Sequence, residues 1–264
     1  MNTTRRDACP YRYRYLTLAL LVASTFGTCG ASCQGKSFSP VTRASSMGIA
    51  APYAPGGGEV AGSFGLAMGG DEGGLFGGPA VGFLGDARVT IGVSPSLALE
   101  GSFAVMGVGN VDDENAYSNA DRGWGITMVG LGARWLVSSE GVSRVALSAG
   151  FGVGCGGARG GKDLLVGGCG SDTFGRAAGG GYLGLDLGAQ ITRRFGIYAN
   201  SRYQLAKATQ LPLTHWGQHV VGLQWGRTLI FRVEGGVVHF HNEVNSLVGG
   251  TFVTALAIRW GLAR

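Results

Sequence analysis

The stretch VALSAGFGV at residues 145–153 decides the fold class. Its odd-numbered residues are apolar or small and its even-numbered residues are small or polar, so the pattern repeats every two residues. A period of two places neighbouring side chains on opposite faces of a β-strand, whereas a helix repeats every 3.6 residues. The same alternation recurs at 183–191 and at 195–205. The sequence therefore predicts an all-β protein.

Such segments follow one another along the chain from residue 57. The predicted strands are 58–69, 79–93, 96–108, 124–138, 142–155, 180–193, 195–207, 215–226, 228–240 and 249–262. Short turns, such as Ser94–Pro95 and Arg193–Arg194, alternate with longer polar connections, such as 109–123 and 156–179. This rhythm predicts antiparallel strands in an up-and-down order. About ten strands are favoured, with eight strands as the alternative.

The composition indicates what the two faces of these strands contact. Charged residues make up 14% of the chain and hydrophobic residues 45%, whereas a soluble domain is usually about a quarter charged. No apolar run reaches the ~18 residues that a membrane-spanning helix needs. In lipid every backbone polar group needs a partner within the protein, so strands that cross a membrane must form a closed barrel. Trp135, Phe195 and Trp225 fall at strand ends nearest the short turns, as in an interfacial girdle. The sequence thus predicts a closed antiparallel transmembrane β-barrel.

The N-terminal part of the chain has the organisation of a secreted precursor. Residues 1–33 combine an arginine-rich start with a short apolar run at 16–26, which is typical of a signal peptide. The tetrapeptide that ends at Cys33 (Gly-Ala-Ser-Cys) resembles a lipobox, in which the cysteine is lipidated. Ordinary signal-peptidase cleavage nearby is the alternative. Residues 34–56 are rich in serine, alanine and proline, which predicts a flexible periplasmic linker. The barrel is predicted at 57–264.

The second face of the strands carries charged residues of both signs. An unpaired charge in a narrow interior costs several kcal/mol, and a barrel of eight to ten strands is about wide enough inside for side chains. We therefore predict a plugged or narrow lumen filled by a paired network. The predicted network consists of Asp86, Arg88, Glu100, Asp186, Arg202, Arg232 and Glu234. Glu59, Arg134 and Arg259 share the same face.

The last predicted strand alternates apolar residues from Phe252 to Leu262 and contains Trp260 near its end. Together with the alternating segments, the rhythm of short and long connections and the signal peptide, this strand resembles small bacterial outer-membrane β-barrel proteins, a class that includes opacity-type and attachment-type barrels. It departs from their pattern because Ala263 and Arg264 follow, rather than a terminal aromatic residue. The resemblance implies residence in the outer membrane of a bacterial cell. It also implies outer-membrane lipid and the barrel-assembly machinery as partners.

Two clusters of residue types indicate further sites. His215, His239 and His241 should gather near the outer rim, where the eighth and ninth strands form a hairpin. Imidazoles can ligate zinc or copper, and interfacial histidines without a metal are the alternative. Cys155 and Cys169 flank a long connection, and in an oxidising compartment they are expected to form a structural disulfide. Such a bond would stabilise the chain by roughly 3 kcal/mol.

The remaining features exclude several classes of function. The arginine-rich start contributes +3 of the net charge of +5, so the rest lacks the clustered basic face that nucleic acid requires. No serine, histidine and acidic residue can be placed together and no cofactor motif is present, so we expect neither an enzyme nor a bound cofactor. The leading hypothesis is a structural or surface-interaction barrel, whose external ligand the sequence does not identify. A narrow, porin-like channel for small solutes is the first alternative, and a lipid-modifying or proteolytic barrel enzyme is the second.

Overall fold

Ten antiparallel strands make up the protein in a computed structural model, which describes residues 47–70, 80–110, 123–139, 141–159, 174–208, 213–241 and 246–263. The strands are β1 (Tyr53–Gly70), β2 (Ala80–Ser94), β3 (Leu97–Asn110), β4 (Gly123–Ser138), β5 (Ser143–Arg159), β6 (Phe174–Gln190), β7 (Phe195–Ala208), β8 (Thr214–Gly226), β9 (Leu229–His241) and β10 (Ser246–Leu262). The predicted signal peptide, Cys33 and residues 34–46 of the predicted linker lie outside the described residues. In the part of the chain that is described, no helix is long and apolar enough to span a membrane.

The sheet closes on itself. Each strand pairs with the next one in the chain, and β10 pairs with β1, so the order around the barrel is the order in the sequence. At the closing seam Glu59 of β1 lies opposite Arg259 of β10. Closure pairs both edges of the sheet, which removes the exposed hydrogen-bonding groups that an edge strand presents. The predicted all-β, up-and-down, closed antiparallel barrel is confirmed, with ten strands rather than eight.

The predicted strand ends agree best at the short turns and less well elsewhere. β6 begins at Phe174 rather than at residue 180, because residues 174–180 pair with β5 although their glycines and alanines show no apolar alternation. β1 begins at Tyr53 rather than at residue 58, with a register shift between Tyr53 and Gly58. Backbone pairing with a neighbour therefore extends strands beyond the stretch that alternation identifies.

The structure moves the start of the barrel domain to before the predicted boundary at residue 57. Residues 47–52, which the sequence analysis assigns to the linker, lie inside the barrel, and Met47, Ile49 and Ala50 are between 2% and 5% exposed. Contacts with interior arginines and a glutamine hold this segment in place. The correction concerns residues 47–56 of the predicted linker, since β1 has already begun at Tyr53.

Alternate residues of each strand face the interior and the exterior. On β5 the side chains of Ala146 and Ser148 are buried, whereas Leu147 and Phe151 are 45% and 64% exposed. The buried set on the strands is rich in charged and amide side chains, and the exposed set is rich in large apolar ones. The barrel is thus polar inside and apolar outside, the reverse of a water-soluble protein.

Candidate functional site

The Glu59 carboxylate is the centre of one group of buried charges near the short turns. Arg232 binds its Oε1 atom through Nη2 at 2.6 Å, and Arg259 binds its Oε2 atom through Nη2, also at 2.6 Å. These side chains come from the neighbouring strands β1, β9 and β10, and each is at most 7% exposed. Two guanidinium groups share one carboxylate, so this part of the interior favours further hydrogen-bond acceptors.

A second group of charges spans the opposite wall. The Nε atom of Arg134 lies 2.9 Å from Oδ2 of Asp186. The Oε2 atom of Glu100 lies 3.3 Å from Nη2 of Arg202 and 4.0 Å from Nη1 of Arg88. The Glu100–Arg202 pair joins β3 to β7 across the lumen, the Arg134–Asp186 pair joins β4 to β6, and Arg88 joins Glu100 from the neighbouring strand. The Glu100–Arg202 pair therefore crosses the space through which a solute would have to pass.

Two tyrosines fill interior space next to these charges. The Tyr198 hydroxyl donates to Oε1 of Glu234 at 2.7 Å. The Tyr198 ring occupies the space that a side chain at Gly222 would need, since a Cβ atom there would lie 2.5 Å from the ring. The Arg202 guanidinium lies 4.1 Å from the centre of the Tyr182 ring, a distance at which a cation is attracted to the ring face. Aromatic rings and ion pairs together occupy the lumen.

The structure places all seven residues of the predicted lumen network inside the barrel, and each is at most 8% exposed. Among the described residues, the buried side chains include five carboxylates and five guanidinium groups, so the interior is electrically balanced. Glu59, Arg134 and Arg259 are the members that the sequence assigned to this face but not to the network. Alternation predicts the face of a side chain, whereas its partner depends on the register around the barrel.

The residues directly before β1 complete the interior. The backbone amide of Ile49 donates to Oε1 of Gln224 at 3.2 Å. Arg134 donates to the carbonyl oxygen of Gly48 at 3.1 Å, and Arg259 donates to the carbonyl oxygen of Ile49 at 3.3 Å. Backbone carbonyl oxygens of this segment therefore accept hydrogen bonds from the guanidinium groups of Arg134 and Arg259, in addition to those that the interior carboxylates accept.

The Ile49 side chain fits against two glycines of the wall. A Cβ atom at Gly188 of β6 would lie 2.9 Å from Ile49, and one at Gly196 of β7 would meet it more closely still. The sequence of residues 47–52 (Met-Gly-Ile-Ala-Ala-Pro) shows neither charge nor alternation. Sequence reasoning missed this segment for that reason. The signal that was available is the pair of glycines on the inward face of two adjacent strands.

A polar cluster lies on the outer face of β7, β8 and β9, toward the connections opposite the short turns. The Oγ atom of Ser201 and Nδ1 of His219 are hydrogen-bonded at 2.8 Å. The rings of His219 and His239 are stacked, with centroids 5.3 Å apart. The Tyr203 hydroxyl is hydrogen-bonded to Nδ1 of His215. We call these five residues the histidine cluster.

The three predicted metal ligands lie in this region. His215 is opposite His241 in the pairing of β8 with β9, and His239 is opposite Gly217. The His241 side chain is outside the described part of the structure. In the described residues, no group of three or more histidine, cysteine, aspartate or glutamate side chains is placed to hold a metal ion. The metal site remains a prediction.

The predicted disulfide joins residues at the edge of the described structure. Cys155 belongs to β5, and Cys169 lies in the segment 160–173, outside the described residues. The disulfide therefore remains a prediction.

Neither a protein-family model nor a curated protein sequence matches this chain. Several solved structures of bacterial outer-membrane proteins are similar to it. Neisserial surface protein A has 12% identity, covers 77% of this chain and 97% of its own, and gives a TM-score of 0.42. The outer-membrane protease OmpT from Escherichia coli has 12% identity, covers 79% of this chain and 98% of its own, and gives a TM-score of 0.41. An outer-membrane channel from Pseudomonas putida F1 has 10% identity, covers 85% of this chain and 100% of its own, and gives a TM-score of 0.46. The chain is a closed ten-strand barrel, and its structural neighbours are outer-membrane barrels of several different roles.

Proposed function

We propose that this protein is a closed, non-conducting barrel of the bacterial outer membrane with a structural or surface-interaction role. The exposed apolar belt supports membrane residence, because outward side chains such as Phe151 and Leu183 are 64% and 68% exposed. Contact with acyl chains removes such surface from water at about 25 cal/mol per Å². A barrel that satisfies its backbone internally is the strand structure that lipid permits.

The lengths of the connections support one orientation in the membrane. The strand pairs β2–β3, β4–β5, β6–β7 and β8–β9 are joined by short turns, on the side where β1 begins and β10 ends. The other connections, including 111–122 and 160–173, lie on the opposite side and are mostly longer. Outer-membrane barrels keep their short turns in the periplasm and expose longer loops outside. A surface-interaction role would therefore belong to the longer connections.

The main support for a closed lumen is that residues 47–52 lie inside the barrel. Opening the lumen would remove the carbonyl acceptors of Arg134 and Arg259 and would separate buried ion pairs. Breaking a buried pair by losing one partner costs about 3–5 kcal/mol. The interior thus favours a filled lumen over a water-filled pore.

Conductance in planar bilayers tests the proposal. We expect no steady current steps from the unaltered protein, nor from Leu147→Ala, which changes only the outer wall. A variant that lacks residues 47–51 should conduct if the inserted segment is the main obstruction, and should stay silent if the charge network alone closes the lumen. Steady steps from the unaltered protein would contradict the proposal and favour the narrow channel.

Cysteine labelling in intact cells tests the orientation. Ser118→Cys lies in the connection 111–122, and Ser139→Cys lies in the short turn between β4 and β5. A membrane-impermeant maleimide should label Ser118→Cys in intact cells, and Ser139→Cys only after the outer membrane is permeabilised. The unaltered protein measures labelling of the native cysteines. The opposite pattern would place the short turns outside and contradict the proposed orientation.

A further inference from the structure

The outer face of β7, β8 and β9 changes from apolar to polar along the strands. Near the short turns it carries Leu223, Phe231 and other large apolar side chains that are about half exposed. Further along, the same outward positions carry the histidine cluster. Lys207, exposed on the same face of β7, lies beyond Tyr203 toward the end of the strand. Large apolar side chains are therefore followed by the hydroxyl and imidazole groups, and then by Leu205, which is 41% exposed, and the ammonium group of Lys207.

Among the side chains that the structure describes, other sectors carry large apolar residues at a similar distance from the short turns, although Thr254 of β10, opposite Phe64, is polar and donates to the Phe64 carbonyl oxygen. There the outer face carries Phe64 on β1 and Phe151 on β5, which are 61% and 64% exposed. Burying a polar group in an apolar medium costs free energy unless it is hydrogen-bonded. The barrel can therefore close without polar groups at this depth. We therefore look for a role of the histidine cluster other than stabilising the wall.

A groove on the outer surface leads from the apolar part of this sector to the cluster. Its lower part encloses about 660 Å³ and its upper part about 390 Å³. Ser201 and His219 line the upper part. The groove passes beside Val221, where the neighbouring outward positions are the small residues Ala199 and Gly235. The two parts share as lining residues Leu187, Ala199, Val221 and Gly235.

The geometry of the two imidazoles fixes what the upper end can bind. A histidine ring has two nitrogen atoms, and Nδ1 of His219 is already hydrogen-bonded to Ser201. The Nε2 atom lies on the far side of the ring, and the His219 side chain is exposed on the outer surface. Stacking against His239 holds the ring plane in one orientation. The pair thus presents hydrogen-bonding groups to a ligand with oxygen atoms at the top of the groove.

We propose that this groove and the histidine cluster bind one acylated glucosamine lipid of the lipid A class from the outer leaflet. Acyl chains lie along Val221 and Gly235, ester or hydroxyl oxygens meet His219 and His239, and a phosphate lies near the ammonium group of Lys207. Except at Leu205, the order of groups along the wall matches the order of groups along such a lipid. The inference depends on the proposed membrane residence and orientation, which place the cluster in the outer leaflet.

Uncharged donors distinguish this lipid from a glycerophospholipid. A phosphate headgroup alone is best held by arginine or lysine, whereas the groups at the top of the groove are mainly imidazoles and hydroxyls. Lipid A has several ester and hydroxyl oxygens on a sugar above its acyl chains, which suits a row of imidazole and hydroxyl groups. Lys207 then supplies a positive charge at the height of the headgroup.

Lipid titration of the purified, delipidated barrel tests this site. The probes are lipid A and phosphatidylglycerol, and bound lipid is counted by native mass spectrometry. The double variant His219→Leu/His239→Leu should bind lipid A at least about tenfold more weakly, as the loss of one to two net hydrogen bonds implies. His219→Gln, which keeps donor and acceptor atoms, should retain most of the affinity. Phe151→Leu on β5 is the control on the outer face outside the groove. Heat-modifiable gel migration verifies that each variant is folded.

Three results would overturn the inference. The first is equal lipid A affinity of the double variant and the unaltered protein. The second is equal competition by phosphatidylglycerol, which would mean that lipids bind this wall without selection. The third is a dimer that the double variant dissociates, which would place a second copy in the groove. None of these variants changes the lumen, so silence in planar bilayers with unselective lipid binding would reject this site and leave the proposed closed barrel standing.

Discussion

The inner and outer faces of this barrel come from alternate residues of the same strands, yet they are stabilised in different ways. On β9, Arg232 is fully buried and shares the Glu59 carboxylate with Arg259, whereas its neighbour Phe231 is 47% exposed on the outer wall. Each inner side chain depends on one or two partners at fixed distances. Outside the histidine cluster, the outer side chains are mostly large and apolar and need only an apolar medium. Substitutions on the inner face should therefore lower the free energy of unfolding by an amount that depends on the partners lost. The effect of a substitution on the outer face should depend mainly on the polarity of the new side chain and on its depth in the membrane.

The largest effect is expected at the centre of the inner network. Glu59→Gln keeps the shape of the side chain but removes the negative charge shared by Arg232 and Arg259. Two buried guanidinium groups then lose their counterion, and we expect a loss of about 3–5 kcal/mol in the free energy of unfolding. Urea unfolding in detergent or lipid vesicles measures it. Arg193→Gln, at an exposed position in the short turn between β6 and β7, is the control and should change stability little. A loss below about 1 kcal/mol for Glu59→Gln, which is the contribution of an ordinary surface ion pair, would contradict the view that the buried charges of the inner face depend on one another.

The outer face should respond to depth. Leu183→Arg places a charge in the middle of the outward face of β6, where an arginine costs about 2–4 kcal/mol. Ile191→Arg places the same charge next to the short turn, where the cost falls to about 0–1 kcal/mol. Both positions are more than half exposed. Folding into lipid vesicles should be impaired by the first variant and nearly unaffected by the second. Equal effects at the two positions would mean that this wall does not face a hydrocarbon layer.

The inserted segment offers a test of packing on the inner face. Gly188→Ala adds a Cβ atom whose nearest neighbours are all atoms of Ile49, the closest at 2.9 Å. Overpacking of this kind costs about 1–3 kcal/mol. Gly62→Ala on β1 is the control, because the nearest atom would be 3.9 Å away. Combining Gly188→Ala with Ile49→Ala should recover much of the loss attributable to Gly188→Ala, since neighbouring substitutions are not additive. Additive losses in the double variant would show that Ile49 does not occupy this site.

The same contrast explains how much the sequence predicted. Alternation identified the strands and assigned residues such as Asp186 and Arg202 to the interior, because the strand period depends only on local backbone geometry. Partner choice depends on register around the closed barrel, so the sequence did not pair Arg134 with Asp186. The insertion of residues 47–52 depends on space left by glycines far along the chain, and no local pattern encodes it.

The histidines show the same limit on the outer face. The sequence predicted that His215, His239 and His241 gather at the hairpin of β8 and β9, and the register places His215 opposite His241. The stacked pair in the structure is His219 with His239, however. These two residues are diagonal neighbours, and side chains two residues apart on paired strands are close enough for rings to touch. A rule based on directly opposite residues misses such a contact.

The smallest expected effect concerns neighbouring side chains of the outer wall. Phe195 of β7 lies opposite Trp225 of β8, with ring centroids 6.0 Å apart and a tilt of 57°. A cross-strand pair of this kind contributes roughly 0.2–1 kcal/mol beyond its separate members. A double-mutant cycle with Phe195→Leu and Trp225→Leu measures that coupling by urea unfolding in vesicles. Because lipid replaces the lost contact for either ring, we expect a value at the low end of this range. Coupling as large as that of the buried ion pairs would mean that outer side chains also depend on particular partners, and the distinction between the two faces would fail.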